Sequence, residues 1–186
     1  MAINLSKGSK INLKKESPIG KTFVVGLGWD TGDGAEFDLD ASAFLVGANQ
    51  KILSDEHFVF YNNAQSPDGS VIYSGDNRTG AGDGDDESLV IDTSKINPLV
   101  EQIVFCCSIN DAEERKQNFS MVNNAYIRIY DQDAGTEIAT YFLAESASNE
   151  TAFILGRLIN SGAGWEFEAY PAGYPGGLEA LVEIYQ

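Results

Sequence analysis

Asp38-Leu39-Asp40-Ala41-Ser42-Ala43-Phe44-Leu45-Val46 reads as a β-strand with two unlike faces. Successive side chains of an extended chain point to opposite sides, and alternate residues stand about 6–7 Å apart. Asp38, Asp40 and Ser42 therefore share one face, and Phe37, Leu39 and Ala41 the other. Leu39 pins the register, because a slip of one residue would turn it away from a core. Two like charges are thus held on one face, which is costly unless something neutralises them. A pair at this spacing can straddle one cation or serve two. The approach to the strand, from Trp29 to Phe37, is acidic as well, with Asp30, Asp33 and Glu36; Asp33 and Glu36 read as solvated turn residues.

Working outward, the rest of the chain repeats the strand signal. Thr22–Trp29, His57–Tyr61, Ser88–Thr93, Glu101–Ile109, Ala125–Tyr130, Ile138–Leu143, Thr151–Ile159 and Trp165–Tyr170 are rich in β-branched and aromatic residues, with Gly, Asn, Asp or Pro between them. This pattern predicts an all-β fold, a two-sheet β-sandwich. Two short peripheral helices are expected. One spans Asp111–Asn118, capped by Asn110 with Glu113 three residues on; the other spans Gly177–Tyr185, where Leu178, Leu181, Val182 and Tyr185 fall on one face. A chain of 186 residues, 43% hydrophobic, suits a single domain over residues 1–186 with a substantial core. Ile3/Leu5 and Ile11/Leu13 alternate like edge strands, and the lysines around them guard against edge-to-edge pairing. Adjacent Cys106 and Cys107 point to opposite faces of an apolar strand and read as buried, reduced thiols.

A second acidic stretch decides what the first is for. Gly75-Asp76-Asn77-Arg78-Thr79-Gly80-Ala81-Gly82-Asp83-Gly84-Asp85-Asp86-Glu87 packs five acids, one base and four glycines into a segment too polar for a core. Carboxylates this close repel at roughly 1 kcal/mol per pair even in water, so an ordered state needs a counter-charge. Carboxylate, amide and carbonyl oxygens suit a hard cation such as Ca2+, whereas zinc or copper would want His or Cys. An EF-hand is excluded by spacing: from Asp76, position 3 is Arg78, position 5 is Gly80 and position 6 is Ala81. For the two stretches to meet, the chain must cross between sheets before residue 75, or residues 71–73 must not form a reversing strand. Otherwise the loop would emerge at the wrong end.

Charge narrows the function. The chain carries a net −16, which argues against a partner with a phosphate backbone or an anionic surface. Residues 1–21 hold five lysines against one acid, leaving seven bases against 27 acids in the remainder. No apolar run is long enough to span a membrane, and the first 21 residues lack the apolar centre of a signal peptide, so a cytoplasmic protein is expected. His57 is the single histidine, which leaves no material for a histidine-based triad or a zinc hydrolase. The acids lie among glycines and other acids, not in an aromatic cleft that would raise one of them for glycoside hydrolysis. The expectation is a non-enzymatic protein.

The chain resembles the TerD family, the tellurium-resistance and general stress group. The resemblance rests on Gly28-Trp29-Asp30, Asp38-Leu39-Asp40-Ala41-Ser42-Ala43-Phe44-Leu45, Phe60-Tyr61-Asn62-Asn63, Ser66-Pro67-Asp68-Gly69-Ser70-Val71, the stretch 75–87, Gln117-Asn118-Phe119 and Gly164-Trp165 followed by Gly176-Gly177-Leu178, all in order. It implies a cytosolic calcium-binding β-sandwich holding two neighbouring ions, with partners among other stress-operon proteins. The ligands it implies by position are Asp30, Asp38, Asp40, Asp76, Asn77, Asp83, Asp85, Asp86 and Glu87, with Asp86 the hardest to place because adjacent residues cannot all face one point. Asn62 and Asn63 offer either amide ligands or turn caps. Two positions depart from the pattern: Ala81 stands where many relatives have Glu, and Asn110 where many have His. The alternative from another class is a calcium-dependent carbohydrate-binding module, with Trp165, Tyr170 and Tyr174 as a stacking platform.

Overall fold

The computed structural model describes residues 2–30, 37–75, 84–143 and 149–186. Among them, twelve strands divide equally between two sheets. In chain order the elements are β1 (Ile3–Asn4), β2 (Lys10–Asn12), α1 (Leu13–Glu16), β3 (Thr22–Asp30), β4 (Leu39–Val46), β5 (Phe58–Val59), β6 (Val71–Tyr73), β7 (Glu87–Asp92), β8 (Gln102–Ile109), α2 (Ala112–Arg115), β9 (Asn123–Asp131), β10 (Thr136–Phe142), β11 (Ala152–Asn160), β12 (Trp165–Tyr174) and α3 (Gly177–Tyr185). The first sheet runs β1-β10-β9-β3-β7-β6 and the second β2-β12-β11-β8-β4-β5. The expected sandwich with short helices is what the chain forms.

Apolar alternation builds the space between the sheets. Phe23, Val25, Leu27 and Trp29 of β3 face Leu39, Ala41, Ala43 and Leu45 of β4, with Phe105 and Phe167 fully buried among them. Each buried Phe, Val or Leu of this set contributes about 1.5–3 kcal/mol. The outer face of β4 is covered too, since Phe44 and Val46 pack with Cys106 and Ile154 beneath Leu181 of α3. Every residue of β4 is therefore buried, Asp40 and Ser42 included. Cys107 enters the inter-sheet core and Cys106 the layer under α3, both as free thiols, as their adjacency in a strand requires. The N-terminal strands sit where expected, β1 at one edge of the first sheet and β2 at one edge of the second.

Four local readings need correction. The helix expected over Asp111–Asn118 shrinks to Ala112–Arg115, because Asp111 and Lys116 both take left-handed backbone (φ 51° and 53°). Asn110 does not cap it. The strand expected over His57–Tyr61 is only Phe58–Val59, preceded by a 3-10 turn at Asp55–His57. Leu13 leaves the edge strand and opens α1. Conversely, β12 runs through Pro171 to Tyr174: the pairing slips between Ile154/Ala172 and Gly156/Ala169, so Tyr170 and Pro171 bulge opposite Leu155. A bulge absorbs a residue that has no N–H to give to the ladder.

Topology answers the question of where the second acidic stretch emerges. After β5 in the second sheet the chain crosses to the first and enters it as β6, antiparallel to β7. β7 is antiparallel to β3 with Glu87 opposite Leu27. The β6–β7 connection therefore opens at the end of the sandwich where β3 finishes and β4 begins. The segments joining β8 to β9, β10 to β11, and β12 to α3 return to the same end. We call it the acidic end.

Candidate functional site

Four carboxylates at the acidic end are nearly closed to solvent: Asp38, Asp40, Asp86 and Glu87 are each 9% exposed or less. Asp38 is tied at both backbone and side chain by Asn110, whose N–H donates to Asp38 O at 2.8 Å and whose Nδ2 donates to Asp38 Oδ2 at 3.0 Å. That double tie is why Asn110 does not cap the following helix. Asp40, opposite Ser108 on β8, lines a cleft of about 680 Å³ that also takes in Tyr61, Asn110, Thr151 and Glu179.

Glu87 bridges the two sheets. It lies on the inner face of the first sheet, 1% exposed, and its Oε1 accepts from Tyr73 Oη at 2.6 Å. Its Oε2 accepts from the N–H of Ala41 in β4. β5 pairs with β4 only at Ala43 and Phe44, so among the described residues the strand edge upstream has no partner strand, and the Glu87 carboxylate meets the Ala41 N–H there. Next to it, Asp86 donates its N–H to Leu27 O at 2.8 Å and accepts from Trp29 N–H at Oδ2 at 3.0 Å. Asp85 turns the other way, onto the outer face of the first sheet, with Arg128 Nε 2.6 Å from its Oδ1 and Tyr126 Oη donating to the same oxygen at 3.2 Å. Burial, and Asp85 beside it, push the Tyr126 hydroxyl up to about 12. Asp30, exposed at the end of β3, accepts from Asn124 Nδ2 at 2.5 Å.

Asp76, Asn77 and Asp83, with Asp33 and Glu36, lie outside the described residues. Asn63 uses its amide nitrogen to close a local turn, donating to Phe58 O at 2.6 Å and Glu56 O at 3.0 Å. Among the described residues, no three His, Cys, Asp or Glu side chains gather closely enough to hold a metal ion on their own. The chemistry of the donors nevertheless fits a hard cation. They are carboxylates and amides; His57 is engaged with Ser54 through Nδ1 at 2.9 Å. The Cys107 thiol is held well above its ordinary range by burial and by the nearby Glu87 and Asp40 charges, so it stays protonated.

Tyr73, Asn110, Asn124, Tyr126 and Arg128 are partners that a reading of acids alone passes over. One local signal was available. Gly26 and Gly28 alternate on one face of β3, a mark of close approach by something else. The three rings proposed as a sugar platform do not form one: Trp165 packs against the inter-sheet core, Tyr174 against the layer under α3, and exposed Tyr170 stacks on Arg157 at 4.4 Å.

Comparison with known proteins agrees in both sequence and fold. A family model described as the TerD domain matches residues 1–185. The tellurium resistance protein TerD of an Alcaligenes species is 49% identical over all of this chain and 97% of its own length. General stress protein 16U of Bacillus subtilis is 45% identical, again over all of this chain and 97% of its own. A crystal structure of a homologue of telluride resistance protein (TerD) from Streptomyces coelicolor superposes with a TM-score of 0.71 at 22% identity, covering 88% of this chain and 95% of that one. No helix among the described residues is long and apolar enough to cross a membrane. With a full-length family match, close relatives along the whole chain and the shared sandwich, this chain belongs to the TerD family.

Proposed function

We propose that this chain is one calcium-binding TerD-like domain, a non-enzymatic cytoplasmic protein of the stress response. It binds two neighbouring Ca2+ ions at the acidic end and presents the ordered surface to other stress proteins. The observation that carries the reading is the burial of Asp38, Asp40, Asp86 and Glu87 at the end where the β3–β4 and β6–β7 connections both open. Asp30, Asp38, Asp40, Asp86 and Glu87 would supply carboxylates from the described residues, with Asp76, Asn77 and Asp83 completing the set. Asp85 stands apart because it already holds an arginine. The cation supplies counter-charge for acids that otherwise repel one another. The relatives' names, tellurium resistance and general stress, support placing the protein in a stress response.

The test is titration of the apo protein with Ca2+ and Mg2+ by calorimetry, paired with thermal unfolding in calcium and in chelator. A ligand that binds only the native state adds about 2.7 kcal/mol at a hundredfold excess over Kd, so chelation lowers the melting temperature. Magnesium, which demands near-ideal octahedral geometry and dehydrates reluctantly, binds far more weakly. Identical melting curves with and without chelator, or equal affinity for both ions, overturn the proposal.

A further inference from the structure

The glycines of β3 leave a trough on the outer face of the first sheet, and Asp85 lies in it. A Cβ at Gly26 would come within 2.0 Å of Asp85 Oδ2, and one at Gly28 within 2.3 Å of the Tyr126 ring. Arg128, opposite Gly26 on β9, closes the trough with its Nε 2.6 Å from Asp85 Oδ1, and its Nη1 reaches Glu137 Oε2 at 3.4 Å. Tyr126 Oη donates to Gly84 O at 2.9 Å as well as to Asp85, so both the backbone and the side chain of the segment entering β7 are gripped.

We infer that Asp85 is an anchor and Arg128 a positioning residue of the acidic end. Three consecutive acids diverge here: Asp85 to the outer face, Asp86 onto the Trp29 N–H at the strand end, Glu87 to the inner face. Pulling Asp85 off the sheet to face a cation would leave Arg128 without its nearest carboxylate and the trough empty. Held by Arg128, Asp85 instead fixes the phase in which Asp86 and Glu87 enter β7, and so aims Asp86 at the strand end and Glu87 inward. The positioning role rests on the calcium reading above; the anchor itself does not.

The experiment is a double-mutant cycle on the full chain, Asp85→Asn, Arg128→Gln and both together, unfolded thermally in chelator and titrated with Ca2+. In chelator each single variant melts about 2–4 °C lower, the double variant no lower than the worse single, and Arg128→Lys recovers part of the loss. Asp85→Asn and Arg128→Gln weaken calcium by the same factor, about tenfold, as loss of a group that orients ligands does. Additive melting losses, or an Asp85→Asn variant that melts higher than the parent, overturn the anchor. An Arg128→Gln variant that binds calcium as tightly as the parent or more tightly, while Asp85→Asn binds weakly, makes Asp85 a ligand and overturns the positioning role. If the parent binds no calcium, the calcium reading and the positioning role fail together, and the chelator cycle still decides the anchor.

Discussion

The two ends of the sandwich both carry buried or half-buried acids, but they stabilise them differently. At the end away from β4's start, Asp68, Asp92, Asp131 and Asp133 are each wrapped in hydrogen bonds from the turns and loops around them. Asp68 accepts from the hydroxyls of Ser66 and Ser70 at 2.7 Å, from Ser70 N–H at 2.9 Å and from Asn97 N–H at 2.7 Å. Asp131, fully buried, takes Ser17 Oγ and Ala134 N–H. Asp133 takes the N–H groups of Lys21 and Thr22, and Asp92 the N–H and hydroxyl of Ser94, with Lys95 Nζ 3.0 Å away. Burial alone would raise Asp68, yet the serine hydroxyls and backbone amides outweigh it and hold it below the ordinary carboxylate range. At the acidic end three of the acids are consecutive and take their partners in three different directions, Asp85 from Arg128 and Tyr126, Asp86 from the Trp29 N–H, and Glu87 from Tyr73 and the Ala41 N–H. Carboxylates at the first end accept from hydroxyls and amides of turns and loops; those at the second accept from strand ends and partner side chains. An acid completed by amides acts as a staple, and on the calcium reading proposed above the acids of the acidic end serve a cation as well.

The strongest way to break this contrast is Asp68→Ala. Removing an acceptor with four donors leaves two backbone N–H groups and two hydroxyls to find water, at a cost of about 3 kcal/mol. Urea unfolding should show that loss while calcium affinity stays at the parent value. A matching loss of calcium affinity would mean the two ends are not separate. A smaller effect is expected from Asp40→Asn. Calcium should bind about tenfold more weakly, roughly 1.4 kcal/mol, while the stability in chelator holds or rises because one repelling charge is gone. A clear drop in chelator would make Asp40 a staple of the Asp68 kind. The smallest effect is in the pH dependence. Asp68, Asp92 and Asp133 are depressed in the folded state, so their stabilisation is fully present above the unfolded value near pH 4 and fades as pH falls through the lower folded values. Asp68→Asn should therefore show a shallower loss of urea midpoint below about pH 4 than the parent, by less than about 1 kcal/mol given its solvent access. Parallel acid curves would remove Asp68 from this group.

Much of the fold was legible because strands announce themselves by alternation. The inner and outer faces of β4 follow from Leu39, Ala41 and Phe44 without any partner in view. What failed depended on contacts distant in sequence. The eight-residue helix after Asn110 looked well capped, but Asn110 is tied to Asp38, 72 residues earlier, and a cap occupied elsewhere cannot start a helix. In the sequence alone Pro171 reads as the end of a strand, because the bulge that admits it is set by register against β11. At the site, the acids were visible as residues but not as directions. Nothing in Asp85-Asp86-Glu87 tells that the first turns outward; that follows from Gly26 and Arg128, which local patterning leaves apart.

The way the chain's first residues are laced into both sheets bears on how a newly made molecule must mature. Ile3 lies beside Ala139 in parallel pairing, and Ile11 lies opposite Phe167, so each of these edges is closed by a segment far upstream against a strand far downstream. Pairings of such long separation are slow to form. Until β10 and β12 have been made, β1 and β2 lack the strands they pair with, and once they have, those two strands stay open-edged until β1 and β2 return. A fusion that ties up the amino terminus would hold both margins open at once and favour self-association during synthesis.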